Sequence, residues 1–163
     1  MGIAENIRSL QDRIAAAAGR GGRRPEDVRL VVVTKTHPVE EILPVLEAGV
    51  RDLGENRVQE FLPKYDIIGL KANWHLIGSL QRNKVAKVVG KVALIHSVDS
   101  PELAGEIAKR AVERGIEQGV LLEVNVSGEA SKHGFTGASL ESGFASIWAL
   151  EGIKVGGFMT MAP

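Results

Sequence analysis

The sequence has 163 residues, with 20 acidic and 20 basic side chains and no cysteine. This length suggests one globular domain, and the zero formal charge excludes a global field that would attract nucleic acid or an anionic membrane. The lack of cysteine excludes disulfides, thiolate catalysis and Cys-ligated metals, and neither a signal peptide nor a membrane span is recognisable, so we expect a cytoplasmic protein.

The predicted elements begin with an amphipathic helix over residues 3–18, where isoleucine and leucine recur at helical spacing. Residues 29–35 are a short, continuous, β-branched run, which is typical of a strand buried on both faces. A helix follows from Pro38 to the glycine at position 49, and Pro44 is expected to kink it.

Strands and helices then alternate to the last residue. Further strands are predicted at 51–54, 74–78, 92–98, 120–126 and 154–161, and helices around 58–65, 80–89, 101–114 and 140–148. This alternation, with short polar turns, indicates parallel β-α-β units.

Two closures of the sheet compete. A doubly wound open sheet is complete at six strands, whereas a (β/α)8 barrel needs eight strands and usually about 250 residues, so length favours the open sheet. Residues 34–38 form the turn after the first strand, and they lack the glycines of a dinucleotide-binding loop. This absence argues against the doubly wound open sheet. Strand periodicity does not decide further.

Lys35 is the first candidate functional residue, because it ends the first strand at the edge where barrel active sites assemble. Desolvation there would favour the neutral amine, which attacks aldehydes to form a Schiff base. Position alone favours a simpler explanation, a lysine that only marks the strand's exit into solvent.

Six motifs carry more information than any single residue. In chain order they are VVVTKTHPV at 31–39, GENRVQE at 54–60, WHLIGSLQRNK at 74–84, IHSVDS at 95–100, EVNVS with SKHG at 123–127 and 131–134, and GFMTMAP at 157–163. Together they resemble the pyridoxal phosphate homeostasis protein family. The resemblance implies the barrel fold of the alanine racemase N-terminal domain, a (β/α)8 TIM barrel of which the first six strands are present here.

The resemblance also implies a site for pyridoxal 5'-phosphate (PLP). Lys35 matches the family's Schiff-base lysine, and Asn56 matches a position beside the ring substituents, where its amide could hydrogen-bond the phenolate oxygen. An Asx turn that caps the next helix explains Asn56 almost as well. Ile77 and Met159 match positions that pack near the pyridine ring, although both also suit a barrel core, and Lys132 resembles a secondary lysine of the family.

Other polar residues have plainer interpretations. His75, Glu123 and Asn125 fall on alternate strand positions that could face the barrel interior, where a satisfied polar network is favoured over catalysis. His37 and His96 show no ligand spacing, so we expect no metal site. The basic residues between 82 and 91 lack interleaved aromatics, which favours a solvated face over an RNA contact.

The function implied by the family is non-catalytic: a carrier or buffer in intracellular PLP homeostasis, with PLP-dependent apoenzymes as candidate recipients. A PLP-dependent racemase or decarboxylase is the main alternative, but it needs a second acid/base, and the only tyrosine, Tyr65, lies on a predicted helix face. A Schiff-base aldolase is a third possibility, against which the motif set argues.

The family's phosphate-binding loops follow strands seven and eight, beyond the last motif of this sequence. We therefore expect residues 1–163 to be a single barrel domain that lacks the last two β/α units, a fragment of a longer protein. On this expectation the chain binds the phosphate of the cofactor poorly, because charge-assisted hydrogen bonds contribute much of such affinity.

Overall fold

A computed structural model describes residues 2–126 and 133–161. Six strands form one parallel sheet in the order in which they occur along the chain. They are β1 (Val32–Val33), β2 (Asp52–Glu55), β3 (Asn73–Leu76), β4 (Leu94–Val98), β5 (Gln118–Glu123) and β6 (Ile153–Met159). A doubly wound sheet reverses its strand order at a switch point, and this sheet does not. The barrel-type α/β fold is therefore confirmed, as a six-stranded arc.

Helices separate the strands, as the hydrophobic pattern predicts. They are α1 (Ile3–Arg20), α2 (Val39–Glu47), α3 (Val58–Ile68), α4 (Val85–Val88), α5 (Pro101–Glu113) and α6 (Gly137–Trp148). The clearest local signal is at α5, where the hydroxyl of Ser100 accepts a hydrogen bond from the N–H of Leu103 and Pro101 occupies the first turn.

The largest departures from the predicted lengths are at β1 and α4. The strand expected over 29–35 has only two residues in β1, because it is an edge strand that pairs with β2 alone and the chain turns directly after Thr34. The helix expected over 80–89 is a single α-helical turn, α4, preceded by a 3-10 turn. Its β-branched valines have modest helix propensity, and Gly90, at φ +78°, ends it.

The sheet has two distinct faces. One face packs on the helices: Trp74 of β3 is buried and lies edge-on to Phe61 of α3, with ring centroids 5.5 Å apart. Because side chains alternate along a strand, Gly54 and His75 belong to the opposite face, which we call the interior face. The main apolar core therefore lies between the sheet and the helices.

Candidate functional site

Three of the four predicted cofactor-binding residues follow neighbouring strands. Lys35 comes after β1, Asn56 directly after β2 and Ile77 directly after β3. Because parallel strands all end at one edge of the sheet, these residues share its carboxyl edge. Met159 also lies at a carboxyl end, but on β6, the last strand in the sheet order, where it pairs in register with Glu123.

An apolar floor lies below this edge on the interior face. A β-carbon added at Gly54 would come within 3.2 Å of both Ile77 Cδ1 and Val31 Cγ1, so the missing side chain lets these two residues close over β2. Both are half-buried. Between β1 and β3 the sheet thus offers an apolar surface suited to one face of a flat ring.

Gly78 brings the ends of β2 and β3 into close approach. A β-carbon at this position would lie 2.4 Å from the carbonyl oxygen of Asn56, a distance that no side chain tolerates. The hydroxyl of Ser97 donates to the carbonyl oxygen of Gly78 at 2.7 Å, which ties β4 to the same edge. A glycine is required at 78 if Asn56 is to stay where it is.

The backbone before Lys35 is held by a buried polar cluster. The carbonyl oxygen of Thr34 accepts from Lys64 Nζ at 2.7 Å, and its hydroxyl donates to Glu55 Oε1 at 2.6 Å. Lys64 and Glu55 form an ion pair at 2.5 Å, and both side chains are buried. The sequence analysis missed this cluster, although Lys64 interrupts the apolar face of α3 between Phe61 and the buried Ile68.

The side chain of Lys35 itself is exposed. The desolvation expected from its place at the strand end is therefore wrong for this structure, because the chain turns away from the core after Thr34. Lys35 is an accessible amine on a fixed backbone, which suits the capture of an aldehyde from solution.

Asn56 does not cap α3. The helix has Arg57 at its N-cap, and no side chain makes a cap hydrogen bond there, so the Asx-cap explanation is wrong. Asn56 is half-buried, and its amide has no hydrogen-bond partner among residues 2–126 and 133–161. It is available to a ligand that reaches the carboxyl edge.

His75 belongs to a hydrogen-bonded network, as predicted. This fully buried residue places Nε2 3.0 Å from Asp52 Oδ1 and Nδ1 2.8 Å from Nε2 of His96. Burial, and then the proximity of His75, lower the pKa of His96 to about 4. His75 donates from Nε2 to the carboxylate of Asp52, and the low pKa of His96 keeps its imidazole neutral at pH 7.

At the far end of the sheet, burial and the neighbouring Asp99 raise the pKa of Glu123, while His133 lowers it. Glu123 is buried on β5. The backbone N–H of Asn125 donates to the carbonyl oxygen of Phe135 at 2.9 Å. The predicted secondary lysine, Lys132, lies outside the described residues.

Tyr65 lies in the helix layer. Its ring is 5.4 Å from that of Phe61 on the same helix, and the ammonium of Lys91 lies 5.3 Å from its centroid. These contacts hold Tyr65 on the helix side of the sheet.

A concavity of about 580 Å³ opens at the amino ends of β1–β3, where Arg29, Arg51 and Asp52 contribute to its lining. It lies at the opposite edge of the sheet from Lys35, and barrel sites assemble at the carboxyl edge, so we assign the site to the latter. Within the described part of the chain, no cluster of three or more acidic or histidine side chains is placed to hold a metal ion. None of its helices is both long and apolar enough to cross a membrane.

Sequence comparison assigns the chain to a family. The sequence model of the alanine racemase N-terminal domain matches residues 3–163. The pyridoxal phosphate homeostasis protein of Aquifex aeolicus is 44% identical over 164 residues, which cover 100% of this chain and 72% of that protein. The chain belongs to the pyridoxal phosphate homeostasis protein family. The member from Pseudomonas aeruginosa is 37% identical, over 98% of this chain and 70% of its own length.

Solved structures agree with this family assignment. PipY of Synechococcus elongatus, solved with PLP bound, superposes with a TM-score of 0.85 at 34% identity, covering 99% of this chain and 71% of PipY. A protein from Bifidobacterium adolescentis gives a TM-score of 0.89 at 41% identity, covering 98% and 69%. Alanine racemase of Clostridium difficile, at 22% identity and a TM-score of 0.69 over 85% of this chain and 37% of the racemase, shows the shared fold alone.

Proposed function

We propose that this protein binds PLP at the carboxyl edge of β1–β3 and serves intracellular PLP homeostasis as a non-catalytic, cytoplasmic carrier. The observation that carries the proposal is the exposed Lys35 on a backbone fixed by buried polar contacts. Its amine adds to the aldehyde carbon, a C=N bond forms and one water leaves, which gives a reversible Schiff base. The PLP-bound relative PipY, 34% identical, supports this choice of ligand.

The other predicted residues fit the ring of the cofactor. Val31 and Ile77 supply an apolar floor over Gly54, and the unpartnered amide of Asn56 can donate to the phenolate oxygen. We propose that Met159 of β6 contacts the ring from the side opposite to β1–β3. The bound cofactor supplies an electrophilic aldehyde conjugated to an electron-withdrawing ring.

A carrier is favoured over a racemase or decarboxylase. Stereoinversion needs a second acid/base on the opposite face of the cofactor, and Tyr65 is held in the helix layer by Phe61 and Lys91. We further propose that residues 1–163 form one domain, whose six strands are an arc of an eight-stranded barrel, and that apoenzymes requiring PLP are its recipients.

Borohydride trapping tests the proposal. The protein is incubated with PLP, reduced and digested, and the modified lysine is identified by mass spectrometry. We expect the adduct on Lys35, its loss in Lys35→Ala and its retention in Lys154→Ala, a matched change at an exposed lysine of β6. An undiminished adduct yield in Lys35→Ala would contradict the assignment. Racemisation of alanine by the wild type, abolished by Lys35→Ala, would favour the enzyme instead.

A further inference from the structure

The residue after Lys35 has an unusual backbone conformation. Thr36 has φ +66°, and it is the only non-glycine residue with positive φ in the described ranges. A β-branched side chain is a genuine outlier in this region, because its Cβ crowds the backbone. Some other contact must stabilise this turn for it to persist.

The N–H of His37 donates to the carbonyl oxygen of Thr34 at 3.2 Å, which closes the turn, and Glu60 of α3 adds a contact from outside the turn. The N–H of Thr36 donates to Glu60 Oε2 at 3.0 Å, and the hydroxyl of Thr36 donates to the carbonyl oxygen of Lys35 at 2.6 Å. Arg57 Nη1 lies 3.8 Å from the other carboxylate oxygen of Glu60, which helps to orient the carboxylate. A charged acceptor makes a stronger hydrogen bond to the N–H than a neutral one.

The same helix therefore contacts the backbone on both sides of Lys35. Glu60 holds Thr36, and Lys64 holds the carbonyl oxygen of Thr34. Glu60 and Lys64 are four residues apart, so they lie on one face of α3 and point together toward the end of β1. Lys35 lies between the two contacts, and its side chain is exposed.

We propose that α3 is the positioning element of Lys35, with Glu60 as a positioning residue that keeps Thr36 in its left-handed conformation and so fixes the direction in which Lys35 leaves the backbone. This positioning role rests on the proposed function, because it takes Lys35 as the residue that binds the aldehyde. The geometry around Thr36 does not depend on which ligand binds. The partners of Glu60 are Arg57 and the N–H of Thr36, so it acts on Lys35 through the backbone.

Two substitutions at one position separate positioning from charge. Glu60→Gln keeps a carbonyl acceptor for the N–H of Thr36, whereas Glu60→Ala removes it. Glu113→Ala is the matched control, because it removes the same charged side chain from an exposed ion pair on α5. The side chain of Glu60 is 27% exposed, so Glu60→Ala leaves no large buried cavity.

The first measurement is the rate of covalent PLP attachment to Lys35, followed by absorbance and by borohydride trapping. Glu60→Ala is expected to slow attachment about tenfold, the scale of one lost charge-assisted hydrogen bond. Glu60→Gln, which keeps a weaker neutral acceptor, is expected to fall between Glu60→Ala and wild type, and Glu113→Ala is expected to stay within about twofold of wild type. A Glu60→Ala protein that reacts at the wild-type rate would overturn the proposal.

The second measurement needs no ligand. Backbone chemical shifts of Lys35 and Thr36 report the left-handed turn directly, and they are expected to change in Glu60→Ala but not in Glu60→Gln. Unchanged chemical shifts in Glu60→Ala would contradict the positioning role of Glu60, whether or not PLP attaches to the wild type. Failure of PLP to attach to the wild type would contradict the proposed function and not the positioning role, so the two failures are distinguishable.

Discussion

The β1–β3 end of the sheet contains a buried ion pair on its helix face and a histidine network on its interior face. At the β5–β6 end, Phe158 remains 59% exposed and Trp148 of α6 63% exposed, although both rings pack against Phe144. The first end carries a buried polar cluster directly before Lys35, whereas Met159 at the second end is placed by its register with Glu123 of β5.

The largest expected effect comes from breaking the buried ion pair. Lys64→Met leaves the carboxylate of Glu55 buried without its cation, which we expect to lower the free energy of unfolding by about 3–5 kcal/mol. Glu55→Leu combined with Lys64→Met removes both charges and should recover most of that loss. Urea denaturation measures the free energy of unfolding of the wild type, the single variant and the double variant.

A partly exposed pair provides the comparison. Glu106→Ala breaks the contact of Glu106 with Arg110 on α5, and we expect it to cost less than about 1 kcal/mol. If Lys64→Met lowers the free energy of unfolding no more than Glu106→Ala does, the buried cluster does not stabilise the β1–β3 end.

The two ends should respond oppositely to pH. For His96 the folded pKa, about 4, lies below the unfolded value near 6.5, so the unfolded chain binds the extra proton first. The free energy of unfolding therefore falls as pH decreases between these values. For Glu123 the folded pKa is raised by burial and Asp99, so its contribution falls as pH increases above the ordinary carboxyl value.

Urea denaturation across that pH range, with His96→Gln and Glu123→Gln, separates the two contributions. His96→Gln should remove about 1–2 kcal/mol of acid-induced loss, a value discounted for partial exposure of the ring. Glu123→Gln should steepen that loss, because it removes the opposing contribution. An unaltered pH dependence in His96→Gln would contradict the assignment of this titration to His96.

The smallest expected effect is at Thr36. Thr36→Gly relieves a backbone conformation that costs about 1–3 kcal/mol, but it loses a side-chain hydrogen bond and adds glycine's entropy. We expect stability within about 1 kcal/mol of wild type, whereas Thr36→Val keeps the β-branch, loses the hydroxyl and should be clearly less stable. Thermal unfolding of both variants decides this, and equal stabilities would mean that the strain relieved by glycine does not exceed its entropy cost.

The sequence was sufficient wherever local chemistry determines the structure. Ser100 and Pro101 predict the start of α5. Lys35, Asn56 and Ile77 follow successive strands, which places them at one edge of the sheet. The periodicity of the strands alone did not decide between the open sheet and the barrel. The motifs in the sequence predicted the barrel, and the strand order agrees with it.

The remaining features depend on contacts between distant segments. The hydrogen bond from Lys64 to Thr34 joins residues 30 positions apart, and it forms only once α3 packs on β1. The exposure of Lys35 and the left-handed Thr36 follow from the same packing, and threonine carries no sequence signal for positive φ. Whether Asn56, Ile77 and Met159 contact PLP stays a prediction.

The sequential strand order also sets how the fold can assemble. Val32 pairs with Leu53 and Leu53 with Trp74, each 21 residues further along the chain, so every new strand docks on one that has already formed. Contacts of this short sequence separation close small loops and favour rapid folding. During synthesis, the turn around Lys35 can be complete as soon as α3 has left the ribosome, before β4 to β6 exist.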